Sequence, residues 1–212
     1  MPTLQRFRAS WPYRDLVALK KLPYLRAFFR FSHDAGWIAE NPAPKLENPR
    51  AGRRPTLPFT PKQLDEILAA CEKYGAKYRG GRFSATENVS RIRAFVLLLR
   101  HAGLRLGEAV TLERSRIIGD KLFLPTAKTA ATVYVPLPPV VLSALAAAPQ
   151  VSERCFFWPD GSKVNTAISH WRQTMKDVFD VAGIPDGHAH RFRQAWRRRK
   201  TQANSRVSRR TQ

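Results

Sequence analysis

His101-Ala102-Gly103-Leu104-Arg105-Leu106-Gly107-Glu108-Ala109-Val110-Thr111-Leu112 sets an arginine and a glutamate into the joint between two apolar segments. Upstream, Val89 to His101 is strongly apolar and reads as a helix. Gly103 supplies its stop, because a helix end often needs the left-handed backbone that glycine adopts without strain. Arg105 then falls at the following turn, with Glu108 three residues on as an (i, i+3) partner. A guanidinium presents paired N–H donors that match a phosphate in a way lysine cannot. A second one stands at Arg193, and His190, three residues before it, falls on the same helical face.

Composition points to a polyanion. Lys and Arg outnumber Asp and Glu 37 to 16 in 212 residues, a net charge of +21. A compact fold carrying that excess repels itself unless nucleic acid or a similar partner neutralises it. Residues 191–212 hold nine Lys/Arg and no acid, so the remainder still carries +12. Cys71 and Cys155 are too few and too far apart for a disulfide framework or a zinc cluster, which fits a reducing cytoplasm. No run approaches the roughly 18 apolar residues of a membrane span, and Met1 to Trp11 lacks the apolar core of a signal peptide. The expectation is a cytoplasmic protein that spans no membrane.

Apolar residues at Leu16, Leu19, Leu22, Leu25, Phe28, Phe29 and Phe31 recur at helical spacing, with Pro23 as a site for a kink or a break into two helices. Gly36 ends that pattern, and Asn41-Pro42 opens an extended, proline-rich stretch. Its basic residues Arg50, Arg53 and Arg54 either follow a phosphate backbone or are simply solvated. Thr60-Pro61-Lys62-Gln63 resembles an N-cap with proline at the first helical position, followed by the apolar face Leu64, Ile67, Leu68 and Cys71. Lys73 to Asn88 reads as a surface loop. Lys121 to Leu124 and Thr132 to Val135 read as a β-hairpin with Lys128 at its turn. Pro138 to Ala148 and Val164 to Ala182 are further helices, and His190 opens one more.

Gly103-Leu104-Arg105-Leu106-Gly107-Glu108, Lys128 at a hairpin turn, and His190-Arg191-Phe192-Arg193 together resemble, in order and spacing, the catalytic boxes of the tyrosine recombinases, the phage-integrase family. The resemblance covers roughly residues 60–194. Leu25 to Phe31 followed by Gly36-Trp37-Ile38-Ala39-Glu40-Asn41-Pro42 is similar to the end of that family's helical core-binding domain, a DNA clamp. The resemblance implies that Arg105 and Arg193 hold the scissile phosphate, Lys128 acts as general acid, His190 assists proton movement, and Glu108 orients Arg105. Lys121 competes with Lys128 as the hairpin lysine, and His188 competes with His190, although only His190 has an arginine three residues later. Arg191 is left to solvent or to nonspecific backbone contact.

The resemblance stops after Arg193. The family continues with a small-residue helix, a Gly-His pair and a tyrosine nucleophile, whereas this chain continues into an Arg-rich segment. Tyr13, Tyr24, Tyr74, Tyr78 and Tyr134 all precede His190, so no nucleophile is assigned. The expectation is a truncated or frameshifted relative, with a native basic arm as the rival explanation of residues 195–212.

The fold expected is mainly α with a small antiparallel β-hairpin sheet. A partial core-binding domain would occupy residues 1–44, a linker 45–58, an incomplete catalytic domain 59–194 and a basic tail 195–212. The expected partners are double-stranded DNA and other recombinase protomers, in the cytoplasm and associated with the nucleoid. The expected function is DNA binding within a lineage devoted to DNA recombination and integration, whose chemistry, as the resemblance implies, needs no metal or nucleotide cofactor. The alternative is a basic nucleic-acid-binding module without enzymatic ancestry, disfavoured because Phe28, Phe29, Trp171 and Phe179 sit at core-like helical positions instead of forming a stacking platform.

Overall fold

The computed structural model describes residues 2–12, 15–48, 56–77, 83–125 and 132–198. The chain divides into two compact units, Met1–Pro55 and Thr56–Gln212. Lys128 and the Arg50, Arg53 and Arg54 cluster lie outside the described residues.

The N-terminal unit holds α1 (Pro2–Ala9), α2 (Asp15–Asp34) and a 3-10 turn at Ala43–Lys45. α2 is one helix, and Pro23 sits inside it. Its inner side buries Ala18, Leu22 and Ser32, while Ala43 and Leu46 are buried in the returning chain. The Arg26 guanidinium ties the two together by donating to the Leu46 carbonyl at 2.7 Å. A second strip, Val17, Tyr24, Phe28 and Phe31, runs along the helix one position off the buried one and is exposed. Phe28 therefore departs from its core-like spacing at 55% exposure, whereas the neighbouring Phe29 is half-buried. The reason is geometric: so small a unit has a single returning segment to lay on α2 and covers one side only.

The larger unit opens at α3 (Pro61–Lys77), whose start is a reciprocal cap as the sequence suggests. Thr60 N–H donates to Gln63 Oε1 at 3.1 Å, and Gln63 N–H donates to Thr60 Oγ1 at 3.2 Å. α4 (Ala85–Ala102) begins four residues before the expected start, because Ser84 and Glu87 form a second capping box. α3 and α4 thus take up much of the stretch read as a surface loop. α4 is the central helix, with Ile92, Ala94 to Leu99 and Ala102 all buried between α3 and α6 (Pro139–Ala147). A helix apolar on every side is one that is enclosed by neighbours.

Two aromatic groups fix the remaining helices. Phe95 of α4 stacks on Trp171 of α7 (Val164–Val181) with centroids 3.9 Å apart, and Phe157 meets both rings edge-on. The Trp171 indole N–H donates to the Phe157 carbonyl at 3.1 Å, so its polar edge is satisfied inside the core. The second group joins Phe59 of the entering segment, Phe179 of α7 and Phe192 of α8, the helix over residues 190–198. Between α5 (Leu106–Val110) and α6 lies an antiparallel sheet of β1 (Ile117–Ile118), β2 (Lys121–Pro125) and β3 (Thr132–Pro136), in that order. It is the expected hairpin plus one short extra strand. Leu122 pairs with Val135 and both are buried, while Phe123 and Tyr134 pack edge-to-face on the other side.

Arg191 departs from its assignment to solvent or nonspecific contact. It is 8% exposed and donates to the Leu57 carbonyl at 3.0 Å, to Gln63 Oε1 at 3.1 Å and to Asp186 at 3.3 Å. Its guanidinium also covers the Phe59 ring, 4.3 Å from the centroid. Helical rotation along α8 explains this, since Arg191 and Phe192 face inward while His190 stays exposed and Arg193 half-buried. Arg191 therefore staples α8 to the entry of the domain. Arg191→Ala should lower stability by about 2–3 kcal/mol, the scale of hydrogen bonds to a charged group. Lysine should restore little of it, because a single ammonium cannot reach the three acceptors together. The midpoint of urea unfolding measures both effects.

Candidate functional site

Three chain segments converge where α4 ends. Gly103 closes α4 with φ +64°, its N–H donating to the Leu99 carbonyl at 3.3 Å. A Cβ at this position would lie 2.6 Å from the Trp196 ring of α8, so glycine is required by conformation and by space together. Leu104 is then buried, which turns Arg105 outward into extended backbone at the start of α5.

Glu108 is the centre of the arrangement. Its Oε2 accepts the Arg105 backbone N–H at 2.7 Å, and its Oε1 accepts Arg105 Nη1 at 2.7 Å. From α8, Arg193 Nη1 donates to Glu108 Oε2 at 3.5 Å. One carboxylate thus caps its own helix and holds two guanidiniums that are far apart in sequence. The Arg105 side chain remains 68% exposed, while that of Arg193 is 19% exposed, so the pair has an open side and a sheltered side.

Electrostatics favour an anion here. Burial pushes the Glu108 carboxyl up, but the hydrogen bonds from Arg105 and the charges of Arg105 and Arg193 outweigh it and hold the group below its ordinary range. Burial and the neighbouring Arg105 and Arg197 lower Arg193, with Glu108 pulling the other way. His190 stands on the exposed side of α8, and burial together with His188, Arg193, Arg197 and Arg105 lowers it, so the neutral ring is favoured. Its Nε2 lies 3.1 Å from Gln194 Nε2. One carboxylate between the two guanidiniums of Arg105 and Arg193 leaves a local positive excess that an oxyanion would neutralise.

Of the residues singled out from sequence, the structure brings Arg105, Glu108, His190 and Arg193 to one place. Lys128, Arg50, Arg53 and Arg54 are outside the described residues. Lys121, the other lysine of the hairpin, is exposed on β2. Sequence reasoning overlooked Gln194, Trp196 and Arg197, the last two placed in a basic tail. The signals were present, since Gln194 is one turn beyond His190 and Trp196 is an aromatic one turn beyond Arg193. Helix α8 continues to residue 198, so the first residues of the expected tail are part of the packed body.

Beside the cluster is a cleft of about 390 Å³ with an apolar floor of Leu106, Ile168, Met175 and Phe179, and with Arg172, Lys176 and His188 among its lining residues. A second cleft of about 280 Å³, around Tyr74, Asn88, Arg91 and Asp177, lies by the opposite end of α4. Among the described residues no His, Cys, Asp and Glu side chains gather into a metal-holding group, and no helix is long and apolar enough to cross a membrane.

No protein-family model matches the chain, and no curated protein matches it significantly in sequence. Solved structures do match in shape. A lambda integrase dimer bound to a COC' core site superposes with a TM-score of 0.61 at 15% identity, over 86% of this chain and 51% of that one. A lambda integrase tetramer bound to a Holliday junction gives 0.60 at 16%, over 85% and 53%. Lambda integrase residues 75–356 bound to DNA give 0.61 at 14%, over 86% and 64%. The chain spans about half to two-thirds of the length of these structures, and it has a tyrosine-recombinase-like fold.

The lowered Glu108 predicts a defined pH dependence. A carboxyl whose folded pKa is depressed contributes stability that is fully present above its ordinary value of 4.5 and is lost as pH falls through the folded value. Glu108→Gln should therefore be less stable than the parent at neutral pH, and the difference should shrink as the solution is acidified. Thermal unfolding of both proteins from pH 7 to pH 3 checks this; a constant difference would refute it.

Proposed function

We propose that this chain is a DNA-binding relative of the tyrosine recombinases, or integrases, whose ancestral role is site-specific recombination and integration by cutting and rejoining DNA through a phosphotyrosine link. The observation that carries the proposal is the convergence of Arg105 and Arg193 on Glu108, with His190 on the same helix as Arg193. Two guanidiniums from separate elements, drawn together by one carboxylate, form a fork for the non-bridging oxygens of a phosphodiester. In this reading Arg105 and Arg193 hold the scissile phosphate, Glu108 positions both, and His190 serves proton movement. Lys128 supplies the general acid toward the leaving oxygen.

The partner is double-stranded DNA. The solved neighbours carrying this fold hold DNA as dimers and tetramers, which supports assembly with further recombinase protomers on the duplex. The charge of +21 supports the same partner, and the place of action in this reading is the cytoplasm, on the nucleoid. No tyrosine follows His190 within these residues. Among the described tyrosines of the larger unit, Tyr74 donates to Asp177 in the far cleft and Tyr134 is exposed on β3. These 212 residues therefore bind without cutting, and strand cleavage takes a tyrosine supplied from elsewhere. Loss of a nucleophile costs about 10⁶ in rate in a well-studied protease.

One observation favours the second reading, a basic single-strand-binding module. Tyr24, Phe28, Phe31 and Trp37 of the N-terminal unit are exposed, so aromatic stacking on bases has surface available. Fluorescence anisotropy with duplex DNA and with single-stranded RNA, each over a range of salt, separates the two. The recombinase reading expects tighter duplex binding, and Arg105→Ala and Arg193→Ala should each weaken it and make the log–log salt slope shallower by about 1. It also expects no covalent protein–DNA adduct on a nicked duplex resolved in denaturing gels. Preference for single-stranded RNA at matched salt would overturn the first reading, and an adduct would overturn the non-cutting claim.

A further inference from the structure

We propose that Gln194 is a positioning residue that fixes His190 as a neutral imidazole with its proton on Nδ1. The two side chains are one turn apart on α8, a spacing that stacks them on one face. Their contact is between nitrogens, His190 Nε2 and Gln194 Nε2, at 3.1 Å. An amide nitrogen has only hydrogens to offer, so the ring nitrogen is the acceptor. A neutral ring that accepts through Nε2 carries its proton on Nδ1.

The surroundings point the same way. The charged and titratable groups that lower His190 are His188, Arg193, Arg197 and Arg105, each a cation or a potential one, while the Glu108 carboxylate is engaged by Arg105 and Arg193. With partial burial, they disfavour an imidazolium that Gln194, donating as it does, would not support either. The contact and the field therefore select the same form of the ring.

The role of this arrangement rests on the phosphate-cluster reading above, although the tautomer itself does not. With Nε2 occupied, Nδ1–H is the group left to donate to a phosphate oxygen. If His190 takes up a proton, it goes to the Nε2 lone pair, and the N–H···N contact breaks. The Gln194 amide then turns over so that Oε1 accepts the new N–H. One rotating amide thus serves both protonation states without moving the ring, which keeps it in place beside Arg105 and Arg193.

The test is nitrogen-15 NMR of the histidine rings in the full chain, with His190 identified by the signal lost in His190→Asn. The expected wild-type spectrum at neutral pH has an unprotonated Nε2 and a protonated Nδ1. Gln194→Leu should shift the ring toward the Nε2–H tautomer. Gln194→Glu should move its titration to higher pH, because a carboxylate favours the imidazolium. A wild-type ring protonated on Nε2, or a tautomer unchanged in Gln194→Leu, would overturn the proposal. If the variants fail to fold, the wild-type spectrum decides alone. Since no DNA is present, failure to bind duplex DNA would refute the function and leave the tautomer assignment standing.

Discussion

The Glu108 carboxylate is the single contact on which the arrangement turns. It accepts a backbone N–H, which starts α5, and two guanidiniums, which join α5 to α8. Two guanidiniums drawn to one place repel each other, and an interposed carboxylate cancels much of that cost. Arg105 and Arg193 can therefore stand close together before any ligand arrives. Such preorganisation is what makes fixed charges effective on a transferring phosphoryl group.

Support for this contact comes from groups that do not touch Glu108. Gly103 lets α4 end under the Trp196 ring, and the Phe59, Phe179 and Phe192 cluster seats α8 against α7. Arg191 adds three hydrogen bonds from the inward-facing arc of α8. Consecutive residues of one short helix thus divide the work, His190 and Arg193 toward the cluster, Arg191 and Phe192 toward the core. Shape similarity to lambda integrase at about 15% identity is consistent with a fold kept by volume and periodicity, which many sequences satisfy.

Much of this was legible in the sequence, and the failures have physical causes. The helices that bury a face on both sides, α4 and α7, announce themselves by apolar spacing, as does the Thr60–Gln63 cap. The Ser84–Glu87 cap was equally visible in Ser84-Ala85-Thr86-Glu87, yet glycines and charges around it masked the helix start. α2 misled because period alone does not say which of two adjacent apolar strips finds a partner. Arg191 misled because a charged residue between two catalytic-type residues looks like surface, and only the fold brings Leu57 and Gln63 to it. Gln194 carried no signal beyond its spacing, since a tautomer is set by a neighbour's orientation and not by residue type. The position of Lys128, the residue assigned as general acid, lies outside the described residues.

The separation between Glu108 and Arg193 has a consequence for how the protein is made. The two sides of the anion cluster are 85 positions apart in the chain. At roughly 5–20 residues per second of synthesis, the ribosome needs on the order of 4–17 s to travel between them. Until residue 193 has been made, Arg105 is the one guanidinium of the pair that can meet Glu108. The joint between α5 and α8 therefore closes only after the sheet, α6 and α7 have been synthesised.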